Sequence, residues 1–299
     1  MKVCLSARNR SFARLDRNLL VPAIVSSLWL ITLTGCGGAA APLQNVASPP
    51  VTTPQPAQSP ATPSSGNSSS SNNSQTSDVP AGANTTQAVQ TLPDWQWCTA
   101  KLNGKPCASG LGNATSTMTP GQTEPSLSGS SSKFTLGGKT HYSNALWWKS
   151  FGADSTPTHF VYDLYFYMQD PNAPEALEFD INQSFNGVRY TWGTECSYRN
   201  TGYWDIWNPQ TEAWETTTVA CPAVSANTWH HLTWQVERVN GQVHYISVTL
   251  DGNVGTVDKY YNPQAHYGGS DVNVAFQMDG DYRQDPYDVW LDNVSLSSW

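Results

Sequence analysis

From Ala176 to Gln183 the chain reads Ala-Leu-Glu-Phe-Asp-Ile-Asn-Gln. Leu177, Phe179 and Ile181 alternate with Glu178, Asp180 and Asn182. A period of two is the mark of a half-buried strand, with one face in a core and the other presenting two carboxylates and an amide in a row. Neighbouring carboxylates repel and cost stability, so a strand with a purely structural role has little reason to carry them. The polar row points to a surface shaped for a polar ligand, with sugars as the leading candidate.

The same alternation recurs along the C-terminal half of the chain. Phe160–Gln169 sets Tyr162, Leu164, Phe166 and Met168 against Asp163, Tyr165 and Tyr167. Gly187–Thr194, Trp229–Arg238, Gln242–Leu250 and Asp271–Asp279 alternate likewise, and Asn240-Gly241 is a hairpin signal. In Tyr287–Leu296 the parity breaks, since Val289 and Leu291 are odd while Val294 and Leu296 are even. That predicts either a bulge at Asp292-Asn293 or a strand covered on both faces. Short strands joined by turns, with almost nothing of helical period, predict an all-β, antiparallel two-sheet sandwich over residues 92–299.

The N-terminal part is of another kind. Lys2, Arg8, Arg10, Arg14 and Arg17 precede an apolar run from Leu19 to Leu33. A membrane span needs roughly 20 apolar residues, so the run reads as the apolar core of a signal peptide over residues 1–35. Its end, Leu33-Thr34-Gly35-Cys36, resembles the lipobox of bacterial lipoproteins. That resemblance implies lipidation of Cys36 and anchoring to the cell envelope, with the outer membrane favoured by Gly37 and Gly38. A plain secretory signal cut near Ala39–Ala41 is the alternative. Residues 36–91 are rich in Pro, Ser, Thr and Asn and read as a disordered tether, unable to bury enough apolar surface to order itself.

Five of the 15 bases and one of the 23 acids, Asp16, precede Cys36, leaving 10 bases against 22 acids and a net charge of −12. Nucleic acid and anionic membrane surfaces are poor partners for such a chain, while a neutral polysaccharide is compatible with it. Nothing points to an oligomer, and a monomer is expected. Cys98, Cys107, Cys196 and Cys221 are the even set expected of an exported domain. Three pairings exist, of which Cys98–Cys107 and Cys196–Cys221 close short local loops. Zinc is disfavoured, because no Cys-x-x-Cys occurs and His230 and His231 fall on opposite faces of one strand.

Trp229-His230-His231-Leu232-Thr233-Trp234, then Gln242-Val243-His244-Tyr245 and Leu250-Asp251-Gly252, resemble the pattern of laminin-G-like jelly rolls. Val289-Trp290-Leu291-Asp292-Asn293-Val294 resembles their closing strand. With the octapeptide, the region from about Ser126 to Trp299 is similar to concanavalin A-like lectin and glucanase domains. The resemblance implies a sheet face that holds glycans. The family's glucanases carry Glu-x-Asp-x-Glu or Glu-x-Asp-x-x-Glu on one strand. Carried over, Glu178 matches the nucleophile and Asp180 its helper, but the acid/base position is Asn182 or Gln183. Neither amide can exchange a proton as that role requires, and general acid/base help is worth about 10²–10⁴-fold in rate. Glu195, Glu237 and Asp279 are the acids that could stand in, Asp279 first, because Asn273 and Gln277 share its non-core face.

These residues set three expectations. The first is a lectin-like surface of Glu178, Asp180, Asn182, Gln277 and Asp279, with Tyr165 and Tyr167 added if their strand is adjacent. Trp204 and Trp207, in an aromatic-rich segment with Tyr198, Tyr203 and Trp214, are open to either burial or sugar contact. The second is a retaining glycoside hydrolase with Glu178 as nucleophile. The third is a structural or adhesive envelope protein. No cofactor is expected beyond a structural calcium ion, for which Asp279, Asp281, Asp285 and Asp288 around Gly280 are the candidate ligands.

Overall fold

The computed structural model describes residues 79–99 and 113–299. The signal peptide, Cys36, most of the tether and Cys107 lie outside the described residues. Among the described residues the regular structure is β-strand, with one 3-10 turn at Val89–Thr91.

The strands form two antiparallel sheets, as the alternation predicts. One sheet runs in the order β14 (Asn253–Tyr261), β13 (Gln242–Leu250), β12 (Thr228–Val239), β6 (His159–Met168), β17 (Tyr287–Ser298), β4 (Ser131–Gly138) and β3 (Ala114–Gln122), with β1 (Asn84–Thr86) also pairing with β17. The other runs β11 (Ala213–Ala220), β10 (Tyr203–Asn208), β9 (Thr194–Cys196), β7 (Pro174–Phe185), β16 (Asp271–Gly280), β5 (Asn144–Gly152) and β2 (Gln96–Thr99). In this second sheet β8 (Val188–Trp192) pairs with β7 and with β15 (Gln264–Ala265). The chain passes from sheet to sheet at β1–β2, β2–β3, β4–β5, β5–β6, β6–β7, β11–β12, β14–β15 and β16–β17, so both sheets close only together.

The inner faces meet in one aromatic core. Phe134 packs edge-on to Trp147 and Phe276, and Trp204 meets Trp234 edge-on at 5.3 Å. Leu177, Phe179 and Ile181 are sealed in this core. Asn240 and Gly241 both adopt positive φ, 51° and 77°, as the two-residue turn between β12 and β13 demands.

The parity break in β17 is a bulge: its register against β6 shifts between Asp292 and Ser295, and Asn293 has φ 49°. The bulge turns the fully buried Asp292 onto a set of donors. Its carboxylate accepts from the Ser126 and Ser128 hydroxyls, the Leu127 and Ser128 amides, Gln90 Nε2 and the Asn293 amide. Burial pushes its pKa up, but these donors outweigh it and hold the group below the usual carboxylate value.

This places the start of the folded unit earlier than composition suggests. Val89 and Gln90 are fully buried, and Asn84–Thr86 pairs with the last residues of β17. Residues 79–91, read as tether from their small polar side chains, are part of the sandwich because backbone pairing and Asp292 hold them. Cys196 and Cys221 are bonded to each other as expected. Cys98 is disulfide-bonded as well, and its expected partner Cys107 falls outside the described residues.

Candidate functional site

The site is built on the outer face of the second sheet. Because Leu177, Phe179 and Ile181 point inward, Glu178, Asp180 and Asn182 point outward on β7. Register extends this face to both sides. Glu178 is paired with Glu195 on β9 and with Gln277 on β16, and Glu195 with Asp205 on β10. Asn182 is paired with Thr191 on β8 and Asn273 on β16.

A second cross-strand row has a different character. Asp180 is paired with Ala275, and Ala275 with Trp148 on β5. On its other side, the same register puts Gly193 beside Asp180, and the Trp207 amide donates to the Gly193 carbonyl at 3.0 Å. The row therefore reads Trp207, Gly193, Asp180, Ala275, Trp148. Two indoles flank a carboxyl, and the positions between them carry a hydrogen and a methyl group. Only glycine fits at 193, since an added Cβ would lie 2.9 Å from Trp207 Cβ.

Glu178 and Asp180 are each 2% exposed, although they lie outside the core between the sheets. Glu195, Gln277, Asn182 and Asn273 are buried too. The polar face thus lies below the accessible surface, where the sequence suggests a surface shaped for a polar ligand. On the outer face of the first sheet, by contrast, Asp163, Tyr165, Gln235 and Ser247 are half-exposed.

A hydrogen-bond chain crosses the acids. Gln277 Nε2 donates to Glu178 and, at 3.1 Å, to Asp279, which also accepts from Asn144 Nδ2 at 2.7 Å. The Thr194 amide donates to Asp180 at 3.1 Å. Burial raises the Glu178 pKa well above its usual value, and the charges of Asp279, Asp180 and Glu195 and a hydrogen bond with Asp279 add to the rise. Burial raises Asp180 to about 7 against the pull of the Thr194 amide, with Asp279 adding to the rise.

The buried polar atoms on this face without a partner among the described residues include Trp148 Nε1, Trp207 Nε1 and Gln277 Oε1. Such atoms are costly to leave unsatisfied. Two donors and one acceptor, brought to one face around four carboxyls, are what a hydroxyl-rich ligand would satisfy.

Several sequence expectations meet at this face and others do not. Glu178, Asp180, Asn182, Gln277 and Asp279 come together. Tyr165 and Tyr167 do not join them, because β6 belongs to the other sheet. There Tyr165 stacks on His231 at 4.3 Å and Tyr167 packs against Trp229 and Trp290. Trp204 is core, while Trp207 is on the acidic face, as an odd spacing along one strand requires. Of the stand-in acids, Glu195 and Asp279 adjoin Glu178, and Glu237 is on the other sheet with His159 and His244. Asn182 is occupied by Asn273 and Thr191, and Gln183 by Arg238 and the Pro157 carbonyl.

The proposed calcium loop is taken up otherwise. Asp281 pairs with Arg199 and Arg283, Asp285 with Arg283, and Asp288 with Lys133. Among the described residues no three His, Cys, Asp or Glu side chains are grouped to hold a metal ion.

No protein-family model and no curated protein sequence matches this chain. Solved structures do resemble it. A cellulose induced protein, Cip1, aligns with a TM-score of 0.43 at 13% identity, over 67% of this chain and 90% of its own. An endo-β-1,4-glucuronan lyase from the fungus Trichoderma reesei gives 0.43 at 13%, over 72% and 95%. A carbohydrate esterase from the Shiga toxin-encoding bacteriophage phi24B gives 0.41 at 13%, over 73% and 99%. Likenesses this distant leave the reading of the site to its own geometry.

Proposed function

We propose that the sandwich binds a polysaccharide along the outer face of its second sheet, on an exported, monomeric lipoprotein anchored through Cys36. The observation that supports this most is the row Trp207, Gly193, Asp180, Ala275, Trp148, with an unsatisfied indole N–H at each end and Gln277 Oε1 in the adjoining row. Sugar rings offer apolar C–H faces to indoles and hydroxyls that both donate and accept, which meets all three atoms at once. Glu178, Asp180 and Asp279 supply further acceptors.

Binding without cleavage is the reading the acids favour. Glu178 and Asp279 share the Gln277 amide as donor, and the acid/base position of the glucanase pattern is taken by the amides Asn182 and Gln183, which cannot exchange a proton. One observation favours hydrolysis as a second reading: Glu195 is the cross-strand partner of Glu178, so a second carboxyl faces it from the next strand. A polysaccharide pull-down with the full chain, scored for retention and for released reducing ends, separates the two. Retention without release is expected. Release lost in both Glu178→Gln and Glu195→Gln would establish the hydrolase, and no retention on any glycan would return the protein to a structural envelope role.

A further inference from the structure

The outer face of the first sheet is half-exposed, and it gathers rings into one block. On β12 and β6, Trp229 is paired with Tyr167, and His231, the next outward residue, with Tyr165. Each of these side chains is half-buried, while Leu232, Leu164 and Phe166, which alternate with them, fill the core. The Trp229 and Tyr167 ring centres lie 5.5 Å apart, and Tyr165 stacks flat on His231. Ring pairs across strands steady a sheet. Two pairs in consecutive rows also make a contiguous apolar area, on a face whose other outward residues include Asp163, Thr233, Gln235, Ser247 and Thr249. Such patches on a folded domain mark contact sites.

The rings are held before any ligand arrives. The Tyr167 hydroxyl donates to Asn227 Oδ1 at 3.1 Å, and Trp290 packs edge-on against the same ring from β17. His231 Nε2 donates to Asp163 at 2.9 Å, and the Thr233 hydroxyl donates to the same carboxylate. Side chains fixed in this way lose little freedom on binding. The ion pair in the block, His231 with Asp163, cancels its own charge. The area is small, one strand spacing by one two-residue repeat, about 4.8 by 7 Å between backbone positions. A stable protein partner covers about 800 Å² per side, far more than four half-buried rings offer. One or two pyranose rings match the block, laying apolar C–H faces on the aromatic ones, with Gln235, Ser247 and Thr249 half-exposed on the same face to meet the hydroxyls.

We infer that this block is a second glycan site, with Trp229, Tyr167, Tyr165 and His231 as its platform and a neutral sugar as its ligand. It shares no residue with the outer face of the second sheet, and it stands whether or not that face binds sugar. A chain carrying both sites holds two separate glycan strands, one on each side of the sandwich.

The test titrates the full chain, in mild detergent, with short neutral oligosaccharides from cellulose, laminarin and xylan, read by calorimetry. The wild type is expected to take up two copies of the oligosaccharide that binds. Trp229→Ala should weaken one of the two sites about tenfold, through a lost ring contact and its apolar area. Trp229→Tyr, which keeps a ring against Tyr167, should recover most of that loss. Trp148→Ala, on the other sheet, should leave this site as it is. Binding removed by Trp229→Ala and untouched by Trp148→Ala would uphold the inference while removing the site on the second sheet. A titration unaltered by Trp229→Ala would overturn the inference and leave the second sheet's site standing. A loss that comes with a lower melting temperature and is not recovered in Trp229→Tyr would mark a structural role and also overturn it. Failure of every oligosaccharide to bind would overturn both sites.

Discussion

Trp148 and Trp207 lie on the same cross-strand row, on opposite sides of Asp180, and each keeps a buried indole N–H without a partner among the described residues. Both rings are placed by strand parity, since Trp147 and Ile206, their neighbours in sequence, fill the core. Trp148→Ala is expected to weaken glycan binding about tenfold, combining a lost ring contact with a lost hydrogen bond. Trp148→Phe should cost less, about threefold. Titration calorimetry with a soluble oligosaccharide reads both, and unchanged affinity in Trp148→Ala would remove the site from this row.

Gly193→Ala is expected to displace Trp207, because the new methyl would lie 2.9 Å from Trp207 Cβ. A loss of about 1–2 kcal/mol in urea unfolding is expected, as for other overpacked positions, together with weaker sugar binding. Trp207→Ala in the same background should relieve the stability loss and leave the binding loss in place. That outcome would separate the steric effect from the ligand contact.

Much of this architecture is legible in the residues themselves. The two-fold alternation of Leu177, Phe179 and Ile181 fixes which side of β7 faces the core, and the slipped parity of Val289 and Val294 marks the bulge. The Asn240-Gly241 turn is equally direct. What a single strand cannot show is its neighbour, so Tyr165 and Tyr167, with the same alternation as Glu178, belong to another sheet. The adjacent pair Trp147-Trp148 carries a signal that was open to reading: two tryptophans in succession on a strand must face opposite ways, and one must leave the core. Gly193 and Ala275 gain meaning only from register. The order of Val79–Thr91 comes from pairing with residues some two hundred positions away, which composition cannot reveal.

The acid cluster should give the protein an inverted pH dependence. Asp180 titrates near 7 when folded and at about 3.9 when unfolded. Between these values the native state holds a proton that the unfolded chain has lost, so stability falls as pH rises from about 4 to about 7. Glu178, raised well above its usual value, acts in the same direction. The melting temperature is expected to be higher at pH 5 than at pH 8. Asp180→Asn, which can still accept from the Thr194 amide, should flatten the slope. A slope of the opposite sign in the wild type would contradict the buried acid pair.

Asp292 works the other way. Its donors hold its pKa down when folded, so its contribution is complete above about pH 4 and is lost as pH falls through the lower, folded value. Asp292→Ala is expected to destabilise by about 3 kcal/mol, since the Ser126, Leu127, Ser128 and Gln90 donors would lose their acceptor inside the protein. Urea titration at pH 7 measures the loss. Limited proteolysis should then cut first within residues 79–91, the segment this carboxylate holds down.

The last strand, β17, lies in the middle of its sheet, between β6 and β4, and β1 pairs with its final residues. Until those twelve residues have been synthesised the sheet is two separate halves, with β6 and β4 each missing a partner edge. The sandwich can therefore close only after synthesis of this strand is finished. That order suits the proposed export, because a chain whose sheet stays in two halves until this strand emerges can still be threaded across a membrane.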